Sequence, residues 1–313
     1  MFNMDKAEKV LVLGSGTHGV EGFAGSAIQL GLLREGIATR LEPGVGLLIY
    51  HALNPYGFSY LRRFNEDNID LNRNFVEHSD PYPVNEGYEA LARLMEPESL
   101  SFWSTVRAQL AFAWYRISRG QDWFQKAISQ GQYTHPGGLF YGGNSVAWSN
   151  KLLREIADKY LSRSSEIILI DFHTGLGEYA AAEVIVGEAA DSPVQDKARE
   201  IWGGLVKGTE LGDSVSPPIE GALKFAFPRM LPESDVVAVS LEFGTYPPTK
   251  IFWVLWRENY VFHNPADAQI DASGIRAGLK DAFYPNDSDW KETVWKHGKM
   301  VVDKALEKLK EEG

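Results

Sequence analysis

Residues 9–22 read Lys-Val-Leu-Val-Leu-Gly-Ser-Gly-Thr-His-Gly-Val-Glu-Gly. Lys9 to Leu13 is a short apolar run closed by glycine, the pattern of a buried strand, and Glu21 to Leu33 then has helical spacing. A strand that passes through a glycine turn into a helix is the opening unit of an α/β fold. Further strand-like runs lie near Ala38–Leu41 and at Leu47–Ala52, Glu166–Asp171, Glu183–Val186 and Val236–Leu241, with helical periodicity between them. The alternation predicts a mixed, mostly parallel sheet sandwiched between helices. Residues 76–130 break it. They carry helical patterns such as Ser101–Ser118 and no strand, without a Pro/Gly linker, and read as a helical insertion within a single catalytic domain spanning 1–313. Asp289–Glu311 reads as a closing amphipathic helix.

The bulk properties narrow the function. The 313 residues carry 31 Lys+Arg against 42 Asp+Glu, a net charge of −11, which disfavours nucleic acid and anionic membrane as partners. Absence of cysteine removes thiol nucleophiles, thiolate zinc sites and iron–sulfur clusters, so any metal must be held by His, Asp or Glu. The amino-terminal residues lack the long apolar core of a signal peptide, and the longest apolar runs are too short for a bilayer, so a cytoplasmic protein is expected.

The opening motif has two readings. Gly14-Ser-Gly-Thr-His-Gly19 matches the dinucleotide pattern GxGxxG, with Glu42 placed as a ribose ligand. The same segment holds His18-x-x-Glu21, whose imidazole and carboxylate suit zinc. His173 follows another strand, in Asp171-Phe-His-Thr-Gly175, and ligands in open α/β sheets gather at strand carboxyl ends. His18, Glu21 and His173 would make a catalytic site with one position open. His135 lies in a glycine-rich loop and is a further candidate for lining it.

Five elements in chain order then resemble the zinc carboxypeptidase superfamily. They are His18-x-x-Glu21, Asn54-Pro-Tyr-Gly57, Asp70-Leu-Asn-Arg-Asn-Phe75, Asp171-Phe-His173 and Leu241-Glu-Phe-Gly244. The chain looks like an uncharacterised bacterial branch of that superfamily, counted with metallopeptidases and related to succinylglutamate desuccinylase and aspartoacylase. The resemblance implies one zinc per chain, held by His18, Glu21 and His173. It implies that Glu242 is the general base acting on zinc-activated water, and that Asp70 orients the first histidine. Asn72 and Arg73 would clamp a substrate's free carboxylate, with His135 as a further substrate contact. Arg63 would polarise the scissile carbonyl, with Arg62 beside it as the rival. The family's closing tyrosine would fall near Glu220, where none stands; Tyr246 and Tyr133 are the nearby substitutes.

The reading is a zinc-dependent amide hydrolase acting on a small peptide, carboxypeptidase-like. The alternatives are a deacylase of N-acyl amino acids and, more distantly, a nicotinamide-dependent oxidoreductase. The aromatic insertion helices would form a lid or a homo-oligomer interface.

Overall fold

The first strand, β1 (Lys9–Ser15), has Val10 to Leu13 wholly buried, because both faces of the sheet are covered. The computed structural model describes residues 1–5, 7–187, 192–208 and 219–311. The other strands are β2 (Val45–Tyr50), β3 (Glu166–Thr174), β4 (Ala182–Val186), β5 (Val206–Gly208) and β6 (Asp235–Phe243). They form one sheet in the order β2-β1-β3-β6-β4-β5. Pairs β2–β1, β1–β3 and β3–β6 are parallel, β4 runs antiparallel to β6, and β5 is parallel to β4. The fold is therefore the mixed, mostly parallel α/β sheet that the sequence predicts.

The helices are α1 (Gly22–Arg34), α2 (Pro55–Tyr60), α3 (Leu71–Asn74), α4 (Glu86–Met95), α5 (Phe102–Arg119) and α6 (Gln121–Ser129). They continue as α7 (Trp148–Leu161), α8 (Pro193–Trp202), α9 (Leu223–Met230), α10 (Pro248–His263), α11 (Ala272–Phe283) and α12 (Ser288–Lys310). Alternate strand residues feed two cores. Leu11, Leu13, Ile168 and Ile170 pack with Ile28 of α1 and with Trp290 and Val301 of α12. Val10, Val12, Ile167 and Leu169 face Leu153 of α7 and Phe227 of α9.

A third core lies beyond the carboxyl ends of the strands. It joins Leu91, Phe112 and Ala127 from α4, α5 and α6 to Leu255 and Trp256 of α10 and Phe283 of α11. Residues 76–130 thus hold helices, as their pattern predicts. The Phe112 ring meets Phe252 at 5.2 Å, and the Trp256 indole donates to the Leu94 carbonyl at 2.7 Å.

Two elements differ from the sequence reading. The run near Ala38–Leu41 is not a strand; Ile37–Arg40 forms a 3-10 turn. Gly36, at φ 75°, turns the chain out of α1, and within the turn only Ile37 is buried. The short strand β5 gives no alternation long enough to read. Among the described residues no helix is long and apolar enough to cross a membrane.

Candidate metal centre

The chain leaves β1 through Gly16, at φ 72°, and places His18 just before, and Glu21 at the end of, a single 3-10 turn, Gly19–Glu21. That turn seats closely on the start of α2. A Cβ on Gly19 would lie 2.1 Å from the Gly57 carbonyl carbon, so glycine is required there for the approach. Across the sheet, β3 brings His173 to the same end, and the parallel register sets it directly beside Glu242 on β6. The residues converge because their strands are neighbours in space, although they span 18 to 242 in sequence.

His18, Glu21 and His173 are all buried, and one ligand atom from each lies within 4.8 Å of the others. The two Glu21 oxygens are divided between the histidines. Oε1 is 2.9 Å from His18 Nδ1, and Oε2 is 3.1 Å from His173 Nδ1. Each ring is held from behind by its other nitrogen. His18 Nε2 lies 2.9 Å from Asp70 Oδ1, and His173 Nε2 lies 2.7 Å from Asp171 Oδ2. Asp70 and Asp171 each accept from the Nε2 that faces them, which turns Nδ1 of both rings toward Glu21. Thr17 Oγ1 lies 2.9 Å from each Asp171 oxygen and fixes that carboxylate in turn.

This donor set fits a divalent cation of the zinc type. His18 Nδ1 is buried without a well-aligned hydrogen bond, even at 2.9 Å from Glu21 Oε1. Two electron-pair donors facing each other in a buried space are satisfied by a cation between them. The proton balance agrees. Burial favours neutral His173, but Asp171 and then Glu21 overcome it and raise its pKa well above normal. For Glu21, burial pushes upward and the charges of His18 and Arg63 outweigh it, holding the carboxylate ionised.

Arg62 and Arg63 separate cleanly. Arg62 is wholly buried, donates to Glu258 Oε1 at 2.7 Å, and lies 3.5 Å from the Phe262 ring centre. It is a structural ion pair. Arg63 faces the cavity, donating to Glu21 Oε1 at 2.6 Å and to Asp70 Oδ2 at 3.1 Å. Its Nη2 also sits 2.8 Å from His18 Nε2.

A cavity of about 470 Å³ opens from the centre. His18, Glu21, Arg63, Asn72, Arg73, His173 and Glu242 all line it. Asp70 starts α3 by accepting from the Asn72 amide at 3.0 Å, which presents Asn72 and Arg73 in sequence. Asn72 Oδ1 accepts from Leu223 N at 2.8 Å. Arg73 gives Nη1 to the Asn72 carbonyl and Nη2 to the Ser129 carbonyl, while its Nε is buried without a partner. Glu242, 8% exposed, accepts from Leu176 N at 3.1 Å. Burial, reinforced by the negative charge of Glu21, raises its pKa to about 7.

Some expected residues are not brought here. His135 does not line the cavity; it pairs with Glu89 at 2.9 Å near the surface. Neither substitute tyrosine reaches it. The Tyr133 hydroxyl donates to the Arg73 carbonyl at 2.6 Å, and that of Tyr246 to Asp281 at 3.2 Å. The dinucleotide reading loses its acidic partner, because Glu42 precedes β2 and so stands at the opposite end of the sheet from Gly14–Gly19. Two further residues, Asp171 behind His173 and Lys224 in the cavity wall, were left unassigned by the sequence reading. Asp171 stands two positions before His173 on one strand, hence on the same face. Lys224 is a lone charge within the apolar run Gly221–Phe227, which is its visible signal.

A family model described as "Protein of unknown function (DUF2817)" matches residues 1–297. No curated protein matches. Among solved structures, the chain is similar to the carboxypeptidase A from Helicoverpa armigera, with a TM-score of 0.51 at 13% identity. The match covers 98% of this chain and 63% of that one, so the chain spans less than two thirds of its length. The likeness is one of fold, α/β with the carboxypeptidase-like sheet.

Proposed function

We propose that this chain, which belongs to the DUF2817 family, is a metal-dependent amide hydrolase of the zinc carboxypeptidase superfamily, acting on a small substrate with a free carboxylate. The observation that carries this reading is the buried His18–Glu21–His173 group beside a carboxyl, Glu242, raised to about 7. A divalent cation held by these three side chains would polarise an amide carbonyl and acidify a water molecule. Glu242 takes the proton from that water and returns it to the leaving nitrogen. A group with a pKa near neutrality can do both. Arg63, which lines the cavity beside the three ligand candidates, stabilises negative charge developing on the carbonyl oxygen. Asn72 and the unpaired Nε of Arg73 receive the substrate carboxylate. Asp70 and Asp171 hold the two imidazoles in the required tautomer. Phe112, Phe124, Ile251 and Phe252 form an apolar wall that excludes bulk water.

The cavity size and its cover by α5, α6 and α10 favour a dipeptide or an N-acyl amino acid over a long polypeptide. A peptidase and a deacylase would use the same residues, and a panel of dipeptides against N-acyl amino acids separates them. The central test pairs Glu242→Gln with elemental analysis. Turnover should fall about 10²–10⁴-fold while about one zinc per chain remains. Near-wild-type turnover would remove Glu242 as the base. Absence of zinc in wild-type protein, with no uptake on addition, would remove the hydrolase reading.

A further inference from the structure

Lys224 is a buried cavity charge that the reading above leaves unexplained. It stands at the start of α9, 6% exposed, and lines the same cavity as Arg73 and Glu242. Among the described residues it makes no hydrogen bond and no ion pair, and its ammonium lies 5.8 Å from the Phe225 ring centre. Its stem is fitted into place. A Cβ on Gly187, just after β4, would come within 3.1 Å of Lys224 Cγ. Ile185 on β4 and Ser240 on β6 line the cavity with it. A buried ammonium without a counterion is costly, and such a group is kept where a ligand supplies the missing charge. Of the other cavity cations, Arg116 is solvent-exposed and needs no counterion. Arg63 is paired with Glu21 and Asp70, and Arg73 is matched to one carboxylate in the reading above. Glu242 is near enough to act on Lys224 electrostatically but forms no ion pair with it. Burial lowers the Lys224 pKa to about 8, which keeps it mainly charged at neutral pH.

We propose that Lys224 binds a second substrate carboxylate, so that the bond cleaved is the amide of an acidic amino acid, aspartate or glutamate. This rests on the hydrolase reading and specifies its substrate class. Arg73 and Asn72 hold the α-carboxylate, and Lys224 selects the side-chain carboxylate. The acidic residue is either the carboxyl-terminal residue of a short peptide or the amino acid of an N-acyl compound.

The test compares isosteres. N-acetyl-aspartate and N-acetyl-glutamate are set against N-acetyl-asparagine and N-acetyl-glutamine, and Ala-Asp and Ala-Glu against Ala-Asn and Ala-Gln. Zinc-loaded wild type should prefer the acids by at least about tenfold in kcat/KM. Lys224→Met should erase that preference mainly through KM, with a clearly smaller loss on the neutral substrates, and be rescued by Lys224→Arg. Lys224→Gln serves as the second variant if Met impairs folding. Equal losses on acidic and neutral substrates, or no acid preference in wild type, would overturn the proposal. Calorimetry gives a readout free of turnover. Glutarate should bind wild type at least about tenfold more tightly than its monoamide, and Lys224→Met should abolish the difference. Discrimination by binding without hydrolysis of any amide would leave Lys224 in place and remove the hydrolase reading. Hydrolysis without discrimination would do the reverse.

Discussion

Glu242 illustrates how much one buried carboxyl controls. Its pKa rises from 4.5 to about 7 in the folded chain, chiefly by burial. The fold therefore binds a proton that the unfolded chain releases, and stability falls as pH rises between these values. Glu242→Gln removes that ionisation. In metal-free protein its stability relative to wild type should grow by on the order of 2 kcal/mol between pH 5 and pH 8, read by urea unfolding. A constant difference would mean that burial does not raise the group. Arg73 offers a second residue-scale prediction. Arg73→Ala should raise KM for free-acid substrates about tenfold or more, and much less for their amidated counterparts. Equal effects would remove the carboxylate clamp. The His18–Glu21–His173 group was legible because His-x-x-Glu and Asp-Phe-His sit at strand ends. The choice between Arg62 and Arg63 was not, because adjacent identical residues differ only in where the fold points them. Lys224 was passed over because its cavity is assembled from segments more than a hundred residues apart.

At the scale of elements, the site depends on how closely α1 lies on the sheet. Glu21 immediately precedes α1, and Gly25 one turn on is the point of closest approach. A Cβ there would stand 2.7 Å from Ser15 Cβ and 2.8 Å from Phe172 Cβ, on β1 and β3. Neither atom can swing aside, since both are fixed to strand backbone. Gly25→Ala should destabilise the protein by about 1–3 kcal/mol and weaken metal uptake together. Unchanged stability in urea would show that the helix can lift freely. The long buried strands β1, β3 and β6 and the helices α1 and α12 were readable because their apolar runs are long. The turn at Ile37–Arg40 was misread because four residues carry no decisive period.

For the whole molecule, a cation at His18, Glu21 and His173 would join segments more than 150 residues apart, the end of β1 and the end of β3. Binding only to the folded chain, zinc at 100 times its dissociation constant should add about 2.7 kcal/mol. Tm should rise by roughly 4–8 °C and fall again with chelator. Uptake should also release a proton, because Asp171 and Glu21 favour the protonated ring of His173 in the metal-free fold. His173→Ala should show neither effect; a full Tm shift in that variant would place the zinc elsewhere. The layered sheet could be anticipated at this scale, but not the way α5 and α6 meet α10 to wall the cavity. Such contacts join distant segments without a local signature.

That wall contains Trp253, which lines the cavity and stands 5.3 Å from the Trp256 ring. Indole emission follows the polarity around it, and two indoles this close exchange excitation. The enclosure therefore carries its own optical reporter: arrival of an occupant changes the colour and polarisation of tryptophan light, and occupancy can be timed in unlabelled protein on the millisecond scale.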